Sequence, residues 1–171
     1  MIELQQLLLH YLQQLIKLLE KTPGDCFNAA LAPDMFSLAE QARIASNYSL
    51  RLYCPLLQQA VPEFDQAELS KTALLREIAQ RRDYLQGLPA VTELNHHRRI
   101  RERAGFADLD LSEAEFIHHY GLPNFFFHLS MVYAIARQQG VTLSKADFDG
   151  YHRYPVGFSF IGMTELPDSQ T

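Results

Sequence analysis

The sequence predicts an all-α fold: a four-helix bundle with an irregular or short β excursion before its last long helix. Three observations carry that expectation. Apolar residues recur at helical spacing in four long stretches, proline- and glycine-bearing breaks separate them, and no series of strands alternates with helices. At 171 residues the chain suits one domain spanning 1–171, since domains commonly run to about 100–150 residues.

In the first helix Leu4, Leu8, Leu12, Leu15 and Leu19 line one face, and Gln6, His10, Gln13 and Lys17 the other. Ile2, Leu9, Tyr11, Ile16 and Leu18 widen the apolar side beyond what one partner helix would cover, so a second neighbour or another subunit is implied. The same polar residues interrupt every run that approaches the roughly 18 apolar residues of a membrane span. Thr22, Pro23 and Gly24 end the helix, because proline lacks a backbone donor and glycine favours a C-terminal cap.

The second helix is expected from near Pro33, with Asp34 at the positive end of its dipole, to about Tyr53. Pro55 and Pro62 bracket the next connection, and Asp65 can cap a third helix over 66–86. There Leu74, Leu75, Ile78, Ala79 and Leu85 take the buried side, with Lys71, Arg76, Arg81 and Arg82 toward water. Gly87 and Pro89 close it. From Ala90 to Tyr120 an extended stretch is expected around 97–103, then a short helix from Ser112, where Ser112 and Glu115 have capping-box spacing. Pro123 opens the last long helix, which Gly140 ends. Beyond it, glycines, prolines and aromatics without helical period suggest an ordered wrap and a loose tail from about residue 163.

Fifteen Lys and Arg against 20 Asp and Glu give a formal charge of -5, which argues against a nucleic-acid partner, whose phosphates demand a basic surplus. Two cysteines and no apolar leader with a small-residue cleavage site point to a reducing cytoplasm. Neither thiol looks activated: Cys26 sits beside Asp25, and Cys54 lies at a helix end where the dipole is negative. No phosphate-cradling glycine loop, Gly-x-Ser-x-Gly elbow or His-Glu-x-x-His motif is present.

Polar side chains on apolar helices are the candidates for chemistry. Asn124 and His128 are four apart on the last long helix, among Phe125, Phe126, Phe127, Leu129, Val132 and Ile135, and therefore need partners if buried. Asp34, Leu38, Gln41 and Ala45 share a side of the second helix. If these helices are neighbours, Asp34, Gln41, Asn124 and His128 converge at one end of the core. The competing reading makes His128 a core histidine satisfied by Asn124 or a backbone carbonyl. His96, His97, His118 and His119 read as solvated pairs, with His118 or His119 able to fold over the bundle mouth. Arg98, Arg99, Arg101 and Arg103 read as a solvated strand edge pairing with acidic neighbours. Tyr11, Tyr48 and Tyr133 either stack in the core or line a pocket.

Three blocks carry a resemblance: Leu31-Ala-Pro-Asp-Met-Phe-Ser-Leu-Ala-Glu-Gln41, Leu122-Pro-Asn-Phe-Phe-Phe-His128 and Gly140-Val-Thr-Leu-Ser-Lys-Ala-Asp-Phe-Asp-Gly150. In order, across nearly the whole chain, they resemble the signature blocks of an uncharacterised bacterial domain-of-unknown-function family of the DinB/YfiT-like superfamily. Ser144 and Asp149 stand where that family usually has glycine and leucine. The resemblance implies an up-and-down four-helix bundle, commonly a homodimer, in which many superfamily members hold a divalent metal with three histidines. One comes from the second helix and two from a His-x-x-x-His pair on the last. Here His128 aligns with the final ligand and Asn124 with its partner, while no histidine lies between His10 and His96, so Gln41 or Asp34 would have to substitute. One imidazole, one carboxylate and two amides make a weak set for zinc or nickel. The expectation is thus a small-molecule-binding protein or degenerate metal-dependent enzyme. His128 would be its proton carrier or sole nitrogen ligand, Asp34 its anionic group, and Gln41 and Asn124 its orienting amides. Metal-assisted transfer to or from a low-molecular-weight thiol, or hydrolysis, is what the superfamily suggests. The alternative is a non-catalytic dimerising or stress-associated protein in which the polar quartet fixes helix register.

Overall fold

The structure, a computed structural model, describes residues 4–64 and 68–154. Ile2, the Asp65 cap and the tail from about 163 lie outside these described residues. The fold is predominantly helical, with a single two-stranded hairpin among the described residues. The long helices are α1 (Leu4–Lys21), α2 (Leu38–Tyr53), α3 (Lys71–Gly87) and the helix Leu122–Gln138.

Helix α1 buries the leucine stripe at 4, 8, 12, 15 and 19 as expected, each leucine worth roughly 1.5–3 kcal/mol when fully removed from water. Part of its surplus apolar surface is covered by the chain itself, with Leu9 and Tyr11 left partly buried. Tyr11 meets Phe126 edge-on at 4.8 Å and packs near Phe148. Phe148 belongs to a short helix over Lys145–Asp149. His10 Nε2 donates to the Asp149 carbonyl at 2.8 Å, and Lys21 pairs with Asp147 at 2.5 Å. Ser144 and Asp149 shape this segment. Ser144 holds Asp147 through both its backbone N–H (2.7 Å) and its hydroxyl (3.1 Å), and Asp149 accepts the backbone N–H groups of Tyr151 and His152. Those bonds, with the His152 ring, draw the Asp149 carboxyl down to about 2 against the opposing effect of its own desolvation.

Helix α2 begins at Leu38, not near Pro33. A capping box starts it: Ser37 Oγ accepts from the Glu40 N–H, and the Ser37 N–H donates to Glu40 Oε2 at 2.8 Å. The two bonds from Ser37 hold the Glu40 carboxyl below its ordinary pKa. Asp34 is therefore left in the preceding turn, where Met35 N–H bonds Ala32 O. Small residues Ala39, Ala42, Ala45, Ser46 and Ser49 are all buried, which lets α2 pack closely between α3 and Leu122–Gln138 and touch α1. The tyrosine at its end, Tyr53, donates to Pro89 O at 2.9 Å and accepts from Val91 N–H at 3.0 Å, tying down the chain after α3.

Helix α3 starts at Lys71 behind a Ser70 cap rather than at 66. Arg81 also departs from expectation, being 1% exposed instead of facing water. Glu77, one turn earlier and equally buried, pairs with it, while Arg43 of α2 reaches the other Glu77 oxygen at 3.0 Å. The Phe64 ring covers the Arg81 guanidinium at 4.9 Å. Helical periodicity scores Arg81 as polar, but the ion pair and the aromatic lid make burial tolerable. Arg81 Nη2 has no hydrogen-bond partner among the described residues, and burial lowers the pKa of the group.

The excursion is a hairpin, β1 (Arg99–Ala104) with β2 (Ala107–Ser112), antiparallel from Arg99↔Ser112 to Ala104↔Ala107. Its two-residue turn puts Gly105 at φ +60°, a first turn position that suits glycine. Ile100 is its buried residue, and Arg99 bonds Asp110 at 2.8 Å, so the basic run does pair with acidic neighbours. Ser112 and Glu115 then form the expected capping box, opening α4 (Glu113–Glu115). The chain continues through a π-helical stretch at Phe116–Gly121 into α5 (Leu122–Gln138) and ends the described part after α6 (Lys145–Asp149). Phe127 of α5 is 51% exposed, so that helix is not buried all round. None of the described helices is long and apolar enough to cross a membrane.

Candidate functional site

The α2 and α5 helices share the most extensive helix interface, and the polar groups meet there. Gln41, almost fully buried, accepts a hydrogen bond at 2.7 Å from His128 Nδ1. That bond puts the neutral ring's proton on Nδ1 and leaves the Nε2 lone pair free. Nε2 has no partner among the described residues, and the side chain is partly exposed. Burial, reinforced by the positive charge of Arg51, pushes the His128 pKa down, so the ring is neutral at physiological pH.

Tyr48 organises the remaining groups. His128 stacks on its ring at 5.7 Å and 20°, and the Arg51 guanidinium lies over the same ring at 4.7 Å. Tyr48 and Tyr120 hydroxyls are 3.3 Å apart, and Arg51 Nη2 donates to Tyr120 at 3.3 Å and to Glu102 Oε1 at 2.9 Å. Burial and the contact with Tyr48 push the Tyr120 pKa up, so its hydroxyl stays protonated. Burial acts to lower the Arg51 pKa, but Glu102 outweighs it and the net shift is upward. The arrangement offers one neutral base, two phenolic hydroxyls and one fixed cation.

Of the four expected residues, the structure joins Gln41 and His128. Asn124 shares the α5 face with His128 but commits its amide nitrogen to the Tyr120 carbonyl at 2.7 Å. Asp34 is exposed in its turn and has no hydrogen bond or ion pair among the described residues, because the capping box at Ser37 ends the helix three residues short of it. His96, His97, His118 and His119 are all exposed. Arg51, Tyr120 and Glu102 escaped sequence reasoning. Running the Gln41 face toward the C-terminus reaches Tyr48 after two turns, with Arg51 three residues on, a signal that was available. Glu102 comes from the hairpin, and no spacing connects it to α2.

The groups gathered here do not assemble a three-histidine metal set among the described residues. His128 offers a single open nitrogen, Nε2, while the Gln41 oxygen already accepts from Nδ1, Asp34 lies in the turn before α2, and a guanidinium lies against the same tyrosine ring, where it would repel a cation. Among the described residues no three or more His, Cys, Asp or Glu side chains gather as a ligand group. Cys26 and Cys54 are buried and free, and burial pushes both thiols up, aided at Cys26 by Asp25.

Comparison with known proteins bears on the family and the fold. The family described as a domain of unknown function, DUF1993, matches residues 2–149. No curated protein matches. Among solved structures the chain is similar to a DinB family member protein from Shewanella denitrificans, at 24% identity and a TM-score of 0.73, over 88% of this chain and 92% of that one. Likeness at that identity establishes a shared fold, and so supports the DinB-like architecture expected from the three blocks.

Proposed function

We propose, for a chain that belongs to the DUF1993 family, that it binds a small polar molecule at the His128 face of an up-and-down bundle, with no resident metal needed for binding. One observation carries this reading: an imidazole fixed through Nδ1 by a buried amide, neutral, with its other nitrogen open. Such a nitrogen accepts a hydrogen bond or a proton from a hydroxyl, thiol or amine. Gln41 orients the ring, and Tyr48, Tyr120 and Arg51 complete the surroundings. No step is derived for metal-assisted transfer or hydrolysis. The homodimer implied by the resemblance and the cytoplasmic setting expected from the two cysteines belong to the same proposal.

The rival, a non-catalytic dimerising or stress-associated role, draws on the same bond, since Gln41 to His128 also pins α2 to α5. His128→Ala separates the two. A stability loss of about 1–3 kcal/mol is expected, because the Gln41 amide is left buried without its partner, and the fold should survive. Ligand-observed NMR with a fractionated cell extract should then show compounds that bind the native protein and not the variant. An unfolded variant, together with an extract containing nothing that binds the native protein, would favour the rival.

A further inference from the structure

Arg51 is the cation of the site, and Glu102, which occupies it, is on loan from outside the helices. The hairpin carrying Glu102 is thinly held. Ile100 is buried and Leu111 partly buried at its base, but Arg101, Arg103, Gly105, Phe106, Ala107 and Asp108 are exposed. Beyond that base, Glu102 is what fastens the arm to α2, and the Arg51 and Glu102 side chains are 34% and 21% exposed. Ion pairs this open to water hold weakly and exchange readily.

We propose that Glu102 is an internal stand-in for the carboxylate of a small ligand, which displaces it from Arg51 when the site fills. The inference rests on the binding role of the His128 face and names the class of molecule bound. Three donors and acceptors define that class. The Arg51 guanidinium donates to the incoming carboxylate as it now donates to Glu102, and the protonated Tyr120 hydroxyl beside it is a second donor. His128 Nε2 accepts from a hydroxyl, thiol or amine on the same molecule. Both Arg51 and His128 lie against one tyrosine ring, at 4.7 and 5.7 Å, so Tyr48 brings the cation and the neutral base into one site. The class is a small carboxylic acid that also carries a hydroxyl, thiol or amine, of which glycolate is a simple member.

Glycolate, acetate and chloride at constant ionic strength are the probes, followed by 1H–15N spectra of α2, the hairpin and α5. The native protein should bind glycolate weakly and saturably, Glu102→Gln about fivefold more tightly, and Arg51→Met not at all. Asp110→Asn removes an equal charge from the same hairpin and should bind as the native protein does. Equal tightening in Asp110→Asn and Glu102→Gln, or none in Glu102→Gln, would overturn the exchange. His128→Ala tests the underlying reading separately. It should bring glycolate down to the acetate level. If it leaves glycolate unaffected while Glu102→Gln still tightens binding, the exchange stands and the imidazole has no part in recognition.

Discussion

Replacing Glu77 by alanine should lower stability by about 3–5 kcal/mol, the cost of stranding buried charge once its partner is gone. Glu77 and Arg81 are both nearly inaccessible, and the Arg43 side chain is 14% exposed. The single carboxylate answers two guanidiniums, one of which already has an unpartnered Nη2. Against a total stability of about 5–15 kcal/mol for a typical domain, such a loss leaves a marginal protein. Urea denaturation measures it. The same physics predicts partial recovery when Arg43 and Arg81 are also replaced by methionine, since a well-packed apolar substitute often matches a buried ion cluster. A loss below about 1 kcal/mol in Glu77→Ala would mean the cluster is solvated like a surface pair.

Gly121→Ala should cost about 1–3 kcal/mol through overpacking and disturb the site as well. A Cβ at residue 121 would stand 2.5 Å from Leu52 Cδ1 and 2.7 Å from its Cγ. Leu52 is fully buried, so it has little room to withdraw. The pressure therefore falls on the π-helical turn, whose Tyr120 carries the hydroxyl shared by Tyr48 and Arg51. Thermal unfolding reads the first effect, and shifts in the 1H–15N resonances of Gln41 and His128 read the second. Gly87→Ala, whose new Cβ meets nothing within 4 Å, should be close to neutral. Equal effects from the two substitutions would contradict close packing at Gly121.

These two sites also show how much was legible in the sequence. The leucine stripe of α1 and the cap at Ser112 follow local rules, in which neighbours three or four residues apart decide the outcome; Ser144 and Asp147 have the same spacing, and the short helix they open was not expected. The start of α2 followed such a rule too: Ser37 and Glu40 have capping-box spacing, and their box outcompetes Pro33 and Asp34. Starting α2 at Pro33 extended the polar face toward Asp34, when its continuation lay toward Tyr48 and Arg51. Arg81 was not legible, because its burial depends on Arg43 from another helix and on the Phe64 ring. Glu102 was hidden for the same reason, since hairpin and helix meet only in the fold. The pairing of Gln41 with His128 lay between these cases. Both residues stood out on apolar helices, but only the packing of α2 on α5 joins them.

The central claim is that His128 is a neutral imidazole, protonated at Nδ1, with Nε2 kept for a ligand. Because its folded pKa lies below the ordinary value of about 6.5, the unfolded chain takes up the proton first as pH falls. The stability this residue contributes is thus complete above about pH 6.5 and is lost as pH falls from there through the lowered folded pKa. Long-range 1H–15N spectra of the histidine rings across that range read both tautomer and titration directly. The account predicts the Nδ1–H tautomer and a midpoint below 6.5. An Nε2–H tautomer, or a midpoint at or above 6.5, would contradict it.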